Sequence, residues 1–526
     1  MGRIVTQYVY ARRRRIVTAA MSLAHASLLV WALARFYRPF IYDDAAGRVW
    51  GLADDVYISA SFARSLFDGH GLVWYPGAPH VEGITNPLWT LFIAGLHGVV
   101  GFSEDRLGLF VACLNGALLF VVATLFGSTV VAAARRHGDA SSLALVPSTL
   151  VLLPLTAPLS YWSAEGFEVA LLAGLALALF AWALRPGFTY NGVALGVLFT
   201  AGCATRMDFV VVATPAIFLL CMRCRSPRQF GWMCLTAFIG IGLLFVARRV
   251  YFGDWLPNTY YLKATGWPLR HRIQRGVDQN AALLAIVPAF GVPVLVAWIR
   301  RRLPGSVLPI TAAWLGFTAS VAYSTYVGGD AWWTFAGYDR HTVVGSLFLS
   351  WGLCVFVATL AVAWPIRILA LLWSCALGGY ALVANGGVTQ LTAGLFAAES
   401  PVRELERDWI RYGKQFKEIS APGARIAVCP AGAIIYFSHR GGVDMLGKVD
   451  PFVAHLPVAE HPSPNMRCWR NAPGHNKEDD VALFGLRKPE FSRYSPPREY
   501  RQFYEKYRYQ GTTFHVLKGS PFLAPR

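Results

Sequence analysis

The sequence predicts a mainly α protein: a polytopic membrane helical bundle of about 11 transmembrane helices, with a small α/β extracytoplasmic domain at its C-terminal end. Three observations predict it. Of 526 residues, 55% are hydrophobic and 15% charged, with a mean hydropathy of +0.42, whereas a soluble domain carries roughly 25% charged residues. The apolar residues fall in long runs. The charge is uneven: Pro401–Arg526 holds 20 basic and 13 acidic residues, a soluble-like density. The first 400 residues are charged at only ~11%, too few for a water-facing surface. This composition excludes a disordered chain and an ordinary soluble enzyme. The net charge of +18 is read as topology and contact with anionic lipid, with no nucleic acid partner.

The first apolar run, Ile16–Ala34, follows Arg12–Arg15. That basic cluster holds the N-terminus in the cytoplasm and sends the first span outward. The run is longer than a usual signal sequence core, so it reads as an uncleaved helix. Further spans are read at Leu107–Ala134, Leu143–Leu159, Val169–Leu184, Val193–Thr205, Phe209–Met222, Phe230–Val246, Ala281–Ile299, Val307–Tyr326, Val343–Val362 and Ile366–Val383. Arg135-Arg136, Arg223–Arg228 and Arg300–Arg302 all reach the cytoplasm only if Pro87–Val100 does not cross. That segment is therefore read as a helix on the outer interface. Arg248-Arg249, at an outer helix end, runs against the rule. The division expected is residues 1–384 as a membrane domain, including an interfacial loop at 35–101, and residues 385–526 outside. The C-terminal domain is then expected on the outer side of the membrane, with the N-terminus in the cytoplasm.

The outward loops carry the informative residues. Asp54–Gly69 reads as a short helix, with Ile58, Phe62 and Leu66 on one stripe, Asp54 placed to cap its start and Gly69 to end it. Two adjacent carboxylates at the edge of a membrane are costly and mark a functional site. They are equally the residues a helix N-terminus favours. The loop that follows, to Trp89, packs glycines, prolines and aromatics around His80, Glu82 and Asn86. Such a loop can offer amides and ring faces to a sugar.

Three strings here occur together: Asp54-Asp55-x-Tyr57-Ile58-Ser59, Gly69-x-Gly71-Leu72-Val73-x-x-Pro76-Gly77, and Val81-Glu82-Gly83-x-Thr85-Asn86-Pro87-Leu88-Trp89. Together they resemble the first outer loop of GT-C membrane glycosyltransferases, and are most similar to the terminal arabinofuranosyltransferase family of actinobacterial cell walls. Trp162–Glu168 resembles that family's acidic second loop. Thr205-Arg206-Met207-Asp208 resembles its Arg-Pro-Asp/Glu, with Met207 in the proline's place. Trp255–Lys263, Gly328-Gly329-Asp330 with Arg340, and Asp444–Gly447 fit the same pattern.

The resemblance implies a donor sugar on a polyprenyl phosphate, and arabinofuranose as the sugar. Glycan, lipid or a pilin-like protein are the acceptors considered. Such transfer needs a carboxylate to take the acceptor's proton, cations for the leaving phosphate and an apolar groove for the prenyl chain. Asp54 or Asp55 supplies the base, with the family pattern favouring Asp54 and leaving Asp55 to position it. Lys263, Arg206 and Arg340, with His80, are the candidates for donor and phosphate binding. Each of the three cations could instead anchor at lipid headgroups; for Arg206 and Arg340 the two readings are balanced, while Lys263 gains weight because Asn258, Tyr260 and Tyr261 share its loop. Glu82, Asn86, Glu165, Glu168, Asn258, Tyr260, Tyr261 and Asp330 are candidates for positioning substrate, although Asp330 also suits a simple pair with Arg340. A divalent cation is possible as cofactor, but the scattered histidines have no ligand spacing that requires one.

In the tail, Trp409–Glu418 reads as helix, while Arg425–Pro430 and Ala433–Ser438 read as strands around a turn. His475–Asp480 reads as a solvated charged loop. Cys429 and Cys468 lie apart from the membrane cysteines and are expected to be close. Cys221 and Cys224 have CxxC spacing but no second pair. The rival readings are a transporter or flippase of lipid-linked glycans, which needs charges buried mid-span, a ligase or polymerase of lipid-linked glycans, and a membrane scaffold.

Overall fold

The computed structural model describes residues 2–45, 47–101, 103–134, 157–185, 191–223, 226–303, 305–332, 339–384, 401–458 and 473–524. It is mainly helical, with a small sheet-containing C-terminal region. Four helices among the described residues are long and apolar enough to cross a membrane: Glu104–Ala133, Pro227–Phe252, Leu269–Ile299 and Val307–Val327. The shortest has 21 residues, about 31 Å at 1.5 Å per residue, which matches the ~30 Å hydrocarbon core. These four correspond to four of the expected spans. Val169–Leu184, Gly192–Thr205, Thr214–Arg223 and Val343–Thr359 are apolar but shorter. The Leu143–Leu159 run lies mostly outside the described residues. On Pro227–Phe252 the large side chains Phe238, Leu243, Val246 and Val250 are exposed, a surface suited to lipid rather than water.

The chain divides into two compact units, and neither is one continuous stretch. The first comprises Met1–Arg38, Ala112–Ile241 and Ile273–Ala398. Its centre is the helix Val343–Thr359, buried at every position. A helix apolar on all sides has no face to give to water. Small residues let its neighbours approach: a Cβ on Gly345 would lie 2.5 Å from the Ser320 Cβ. Phe180 packs edge-on against Phe348 and Trp351, and the Trp351 indole N–H donates to Thr129 Oγ1 at 2.9 Å.

The second unit comprises Pro39–Val111, Gly242–Arg272 and Glu399–Arg526. A hairpin of β1 (Ile41–Asp44) and β2 (Gly47–Trp50) precedes the helix Asp54–Phe67. The tail forms a five-stranded mixed sheet from β3 (Arg425–Val428), β4 (Gly441–Asp444), β5 (Phe491–Ser492), β6 (Tyr504–Tyr509) and β7 (Thr512–Leu517). Its order is β4-β3-β5-β7-β6, with β3 parallel to β4 and β5, and β7 antiparallel to β5 and β6. Side chains alternate across β3 as the pleat requires. Ile426 and Val428 join one apolar cluster, and Ala427 with Cys429 joins the other.

The first cluster also contains Ile58 and Phe62, the stripe read from the sequence, beside Phe416, Phe491 and Phe514. Thus the loop after the first helix shares a core with the tail. Pro87–Val100 is a helix with the bounds expected. Ala433–Ser438 differs from expectation: it is a helix, buried at every residue. A short, wholly apolar run has no period to separate helix from strand. Here the helix supplies the crossover that two parallel strands need.

Phe416 is fully buried, its ring centroid 4.7 Å from that of Phe514. Phe416→Ala is expected to destabilise the second unit by about 3–5 kcal/mol, read as a lower unfolding midpoint in detergent. Phe238→Ala, at a side chain 77% exposed, is expected to change stability by less than ~0.5 kcal/mol.

Candidate functional site

The helix Asp54–Phe67 begins one residue earlier in cap terms than the sequence suggests. Ala53 holds the N-cap position and has no side chain to cap with. Asp54 is therefore the first helical residue, and its carboxylate turns to another helix. Oδ1 accepts from the Ala433 N–H at 2.7 Å and Oδ2 from the Gly432 N–H at 3.2 Å. These are the orphan donors at the start of Ala433–Ser438. Asp54 is 2% exposed. Burial pushes its pKa up to about 7; Lys448 pulls the other way, Asp55 adds to the rise, and the two amides resist it.

Asp55, the next residue, is turned away by about 100° of helix rotation and keeps 18% of its side chain accessible. Lys448 Nζ donates to its Oδ1 at 2.5 Å. Burial works to lower the Lys448 pKa, but Asp55 and Asp54 outweigh it and hold the ammonium above the usual lysine value. Lys448 sits on a fixed loop. The Asp444 carboxylate accepts from the Leu446 and Val449 N–H groups at 2.9 and 2.7 Å. The Asn258 amide donates to the Gly447 and Lys448 carbonyls at 2.7 and 3.2 Å.

Residues 401–520 match a family model described as a domain of unknown function, DUF8728. No curated protein matches the sequence. The DUF8728 region runs from the helix Pro401–Ile419 through all five strands of the sheet. It therefore supplies Gly432, Ala433 and Lys448, the three residues that hold the aspartate pair.

The DUF8728 region also supplies His475, which is buried. Burial, then the charges of Lys448 and Lys263, push its pKa down to about 3. Lys263 leans over Gly474, where an added Cβ would lie 3.1 Å from its Cγ. The expected solvated loop at His475–Asp480 is thus corrected at its start: His475, Asn476 and Lys477 are buried. Lys477 is tolerated there because its ammonium donates to the Tyr261 carbonyl, Thr265 Oγ1 and the Ala454 carbonyl at 2.8–2.9 Å.

The other candidates of this unit surround or support that cluster. The Asn258 N–H donates to the Glu82 carbonyl at 3.0 Å. The Glu82 carboxylate takes Arg248 Nε at 2.9 Å on both oxygens, with both residues buried, which accounts for an arginine at that helix end. Asn86 accepts from Ser59 Oγ at 2.9 Å, fixing the Pro87–Val100 helix to Asp54–Phe67. The Tyr261 ring lies 4.4 Å from that of His455, and Tyr260 is exposed. His80 stacks on Tyr251 at 4.4 Å and its Nδ1 lies 3.3 Å from the Tyr251 carbonyl oxygen. Cys468, the proposed neighbour of Cys429, lies outside the described residues.

Arg206, Arg340, Glu165, Glu168 and Asp330 belong to the first unit. Arg206 holds Asp208 through two bonds at 3.0 and 2.6 Å and Glu168 at 3.3 Å, with His341 Nδ1 at 3.0 Å. Arg340 holds Asp330 through bonds at 2.7 and 3.0 Å, and its guanidinium lies over the Trp162 and Phe167 rings. Glu165 is buried. Among the described residues, no group of three or more His, Cys, Asp or Glu is arranged to hold a metal ion.

Lys448, Gly432, Asp444 and His475 were missed as site residues. The Asp444–Gly447 string was the available signal for Lys448, which follows it directly.

A Cβ on Gly432 would lie 1.8 Å from the Asp54 carbonyl oxygen, and backbone cannot yield that far. Gly432→Ala is expected to cost more than ~3 kcal/mol, whereas Gly95→Ala, with no atom within 4 Å, is expected to be neutral or mildly stabilising. Thermal unfolding of the two variants checks this.

Asp54 also predicts a pH dependence. Its folded pKa exceeds the unfolded value, so between about pH 4 and 7 the folded state holds the proton more tightly. Its contribution to stability therefore falls as pH rises through that window. His475, lowered to about 3, acts with the opposite slope below ~6.5. Comparison with Asp54→Asn removes that background. The stability of the natural protein relative to this variant is expected to decline from pH 4 to 7, and a constant difference would contradict it.

Proposed function

We propose that the protein is a GT-C-type membrane glycosyltransferase moving a sugar from a polyprenyl-phosphate donor to an acceptor hydroxyl at the outer face of a bacterial inner membrane. Arabinofuranose is the sugar suggested by the resemblance of the Asp54–Trp89 strings. The observation that carries the reading is the cluster of Asp54, Asp55, Lys448, Lys263 and His475. Two carboxylates with different environments lie beside two ammonium groups and a neutral imidazole. Apolar helices of membrane-crossing length supply lipid-like surroundings for a prenyl tail. In this reading the chain crosses the membrane about 11 times, with the N-terminus in the cytoplasm and the DUF8728 region in the periplasm.

The reaction breaks the bond between the anomeric carbon and the phosphate oxygen. The acceptor oxygen forms the new bond to that carbon, its proton passes to a carboxylate, and polyprenyl phosphate leaves with the electron pair. We assign the proton to Asp55, in place of the Asp54 that family likeness favours. Two features support the exchange. Both Asp54 oxygens accept from backbone amides and the residue is sealed, whereas Asp55 keeps accessible surface. A base must come within hydrogen-bond reach of the proton it takes. Lys263 is assigned to the leaving phosphate. Arg206 and Arg340 are assigned to positioning, since each guanidinium is held by carboxylates of its own unit.

With purified protein in nanodiscs and polyprenyl-phosphoryl arabinofuranose, Asp55→Asn is expected to lower transfer by about 10²–10⁴-fold without weakening donor binding. Lys263→Ala is expected to raise the donor concentration required. Loss of transfer in Asp54→Asn without loss of fold, with Asp55→Asn near normal, would return the base to Asp54. Normal transfer in both variants would end the enzymatic reading of the pair.

A further inference from the structure

The Lys448–Asp55 ion pair joins a candidate base to a cation, and that combination poses a chemical problem. A carboxylate held by an ammonium at 2.5 Å is stabilised in its charged form and is a poor proton acceptor. The pair must therefore open before Asp55 can act. What opens it has to offer Lys448 a better anion.

The surroundings define such an anion. The backbone that presents Lys448 is fixed by Asp444 and Asn258, while the four-carbon side chain can redirect its ammonium without moving that backbone. Lys263, against Gly474, brings a second ammonium to the same neighbourhood, and the charges of Lys448, Lys263 and Asp55 all act on His475. His475 contributes a neutral imidazole there. Two ammonium groups and an imidazole around one carboxylate suit the phosphodiester of such a donor, whose two non-bridging oxygens can be shared between both ammonium groups.

We propose that Lys448 is a phosphate-binding residue that exchanges Asp55 for the phosphate of the incoming lipid donor, so that Asp55 becomes free to take a proton only when the donor is in place. This rests on the lipid-phosphate donor reading given above and extends it: the DUF8728 region supplies the second phosphate cation and couples donor binding to release of the base. Without donor, the carboxylate stays masked by Lys448.

The test uses the full chain in detergent micelles, with C55 polyprenyl phosphate as probe, uncharged C55 polyprenol as control and inorganic phosphate as competitor. Binding is read by tryptophan fluorescence, and each variant's unfolding midpoint is measured alongside. Lys448→Gln is expected to weaken binding of the phosphate lipid by about 10–100-fold, with polyprenol unaffected and Lys448→Arg retaining most of the affinity. Asp55→Asn releases Lys448 in advance and is expected to tighten binding by about threefold to tenfold. The double variant should behave as Lys448→Gln alone, since the gain passes through the lysine. Competition by inorganic phosphate supports a headgroup site. Unchanged binding in Lys448→Gln, or weaker binding in folded Asp55→Asn, overturns the exchange while leaving the donor reading intact. If the natural protein binds polyprenol as tightly as the phosphate lipid, the donor reading itself fails and the exchange fails with it.

Discussion

One carboxylate ties together stretches of chain nearly 380 residues apart in sequence. Asp54 accepts both amides at the start of the Ala433–Ser438 helix, and much of the second unit depends on that contact. Without it, two buried N–H groups lose their acceptor, each at a cost of ~1–3 kcal/mol. With it, the carbonyl of Asp54 sits so close to Gly432 that no side chain fits there. The helix Asp54–Phe67 is thereby set against the sheet, with Ile58 and Phe62 in the same core as Phe416 and Phe514. That placement also points Asp55 at Lys448. Structure and chemistry therefore divide between neighbouring residues: one carboxylate holds the frame and the other faces the cluster.

Both units bury arginine–carboxylate pairs, and the second adds a buried ammonium held without one. In the first, arginines are matched locally to carboxylates, Arg206 to Asp208 and Glu168, Arg340 to Asp330. In the second, Lys477 is buried against three neutral oxygens. An ammonium without a carboxylate relies on full hydrogen bonding to offset desolvation. This makes Lys477 a fastener between the Asn258–Ala264 and Pro451–His455 helices, whereas Lys448, Arg248 and Arg403 of that unit each meet a carboxylate.

The sequence made the broad architecture legible because apolar runs and charge density report burial directly. Four of the expected spans appear as helices of membrane-crossing length, and Pro87–Val100 was bounded correctly by its proline and following glycine. The stripe of Ile58 and Phe62 was readable from its period. What it packs against was not, because a shared core between a loop and a distant tail leaves no local pattern. The same reason hid Gly432 and Lys448. Ala433–Ser438 was misread as a strand since uniform burial erases periodicity. His475–Lys477 looked solvated since charge alone does not reveal that an ammonium has three acceptors waiting. The aspartate pair could be named from sequence, but the different fates of its two members depend on an amide pair and a lysine contributed by the tail.

The non-contiguous make-up of the second unit has a consequence for biogenesis. Its first stretch ends at Val111, while β7, which completes the sheet, ends at Leu517. Roughly 400 residues separate them, and synthesis at ~5–20 residues per second takes about 20–80 s to cover that distance. For roughly the first 320 residues of that distance the helix bearing Asp54 lacks its amide partners, and to the end it lacks the full apolar surface that covers Ile58 and Phe62, since Phe514 and Val516 come last. The nascent loop must wait as an incomplete half, its greasy stripe open to lipid or to a holding chaperone, until the last hairpin arrives. Assembly of this protein is therefore governed by the emergence of its final strands.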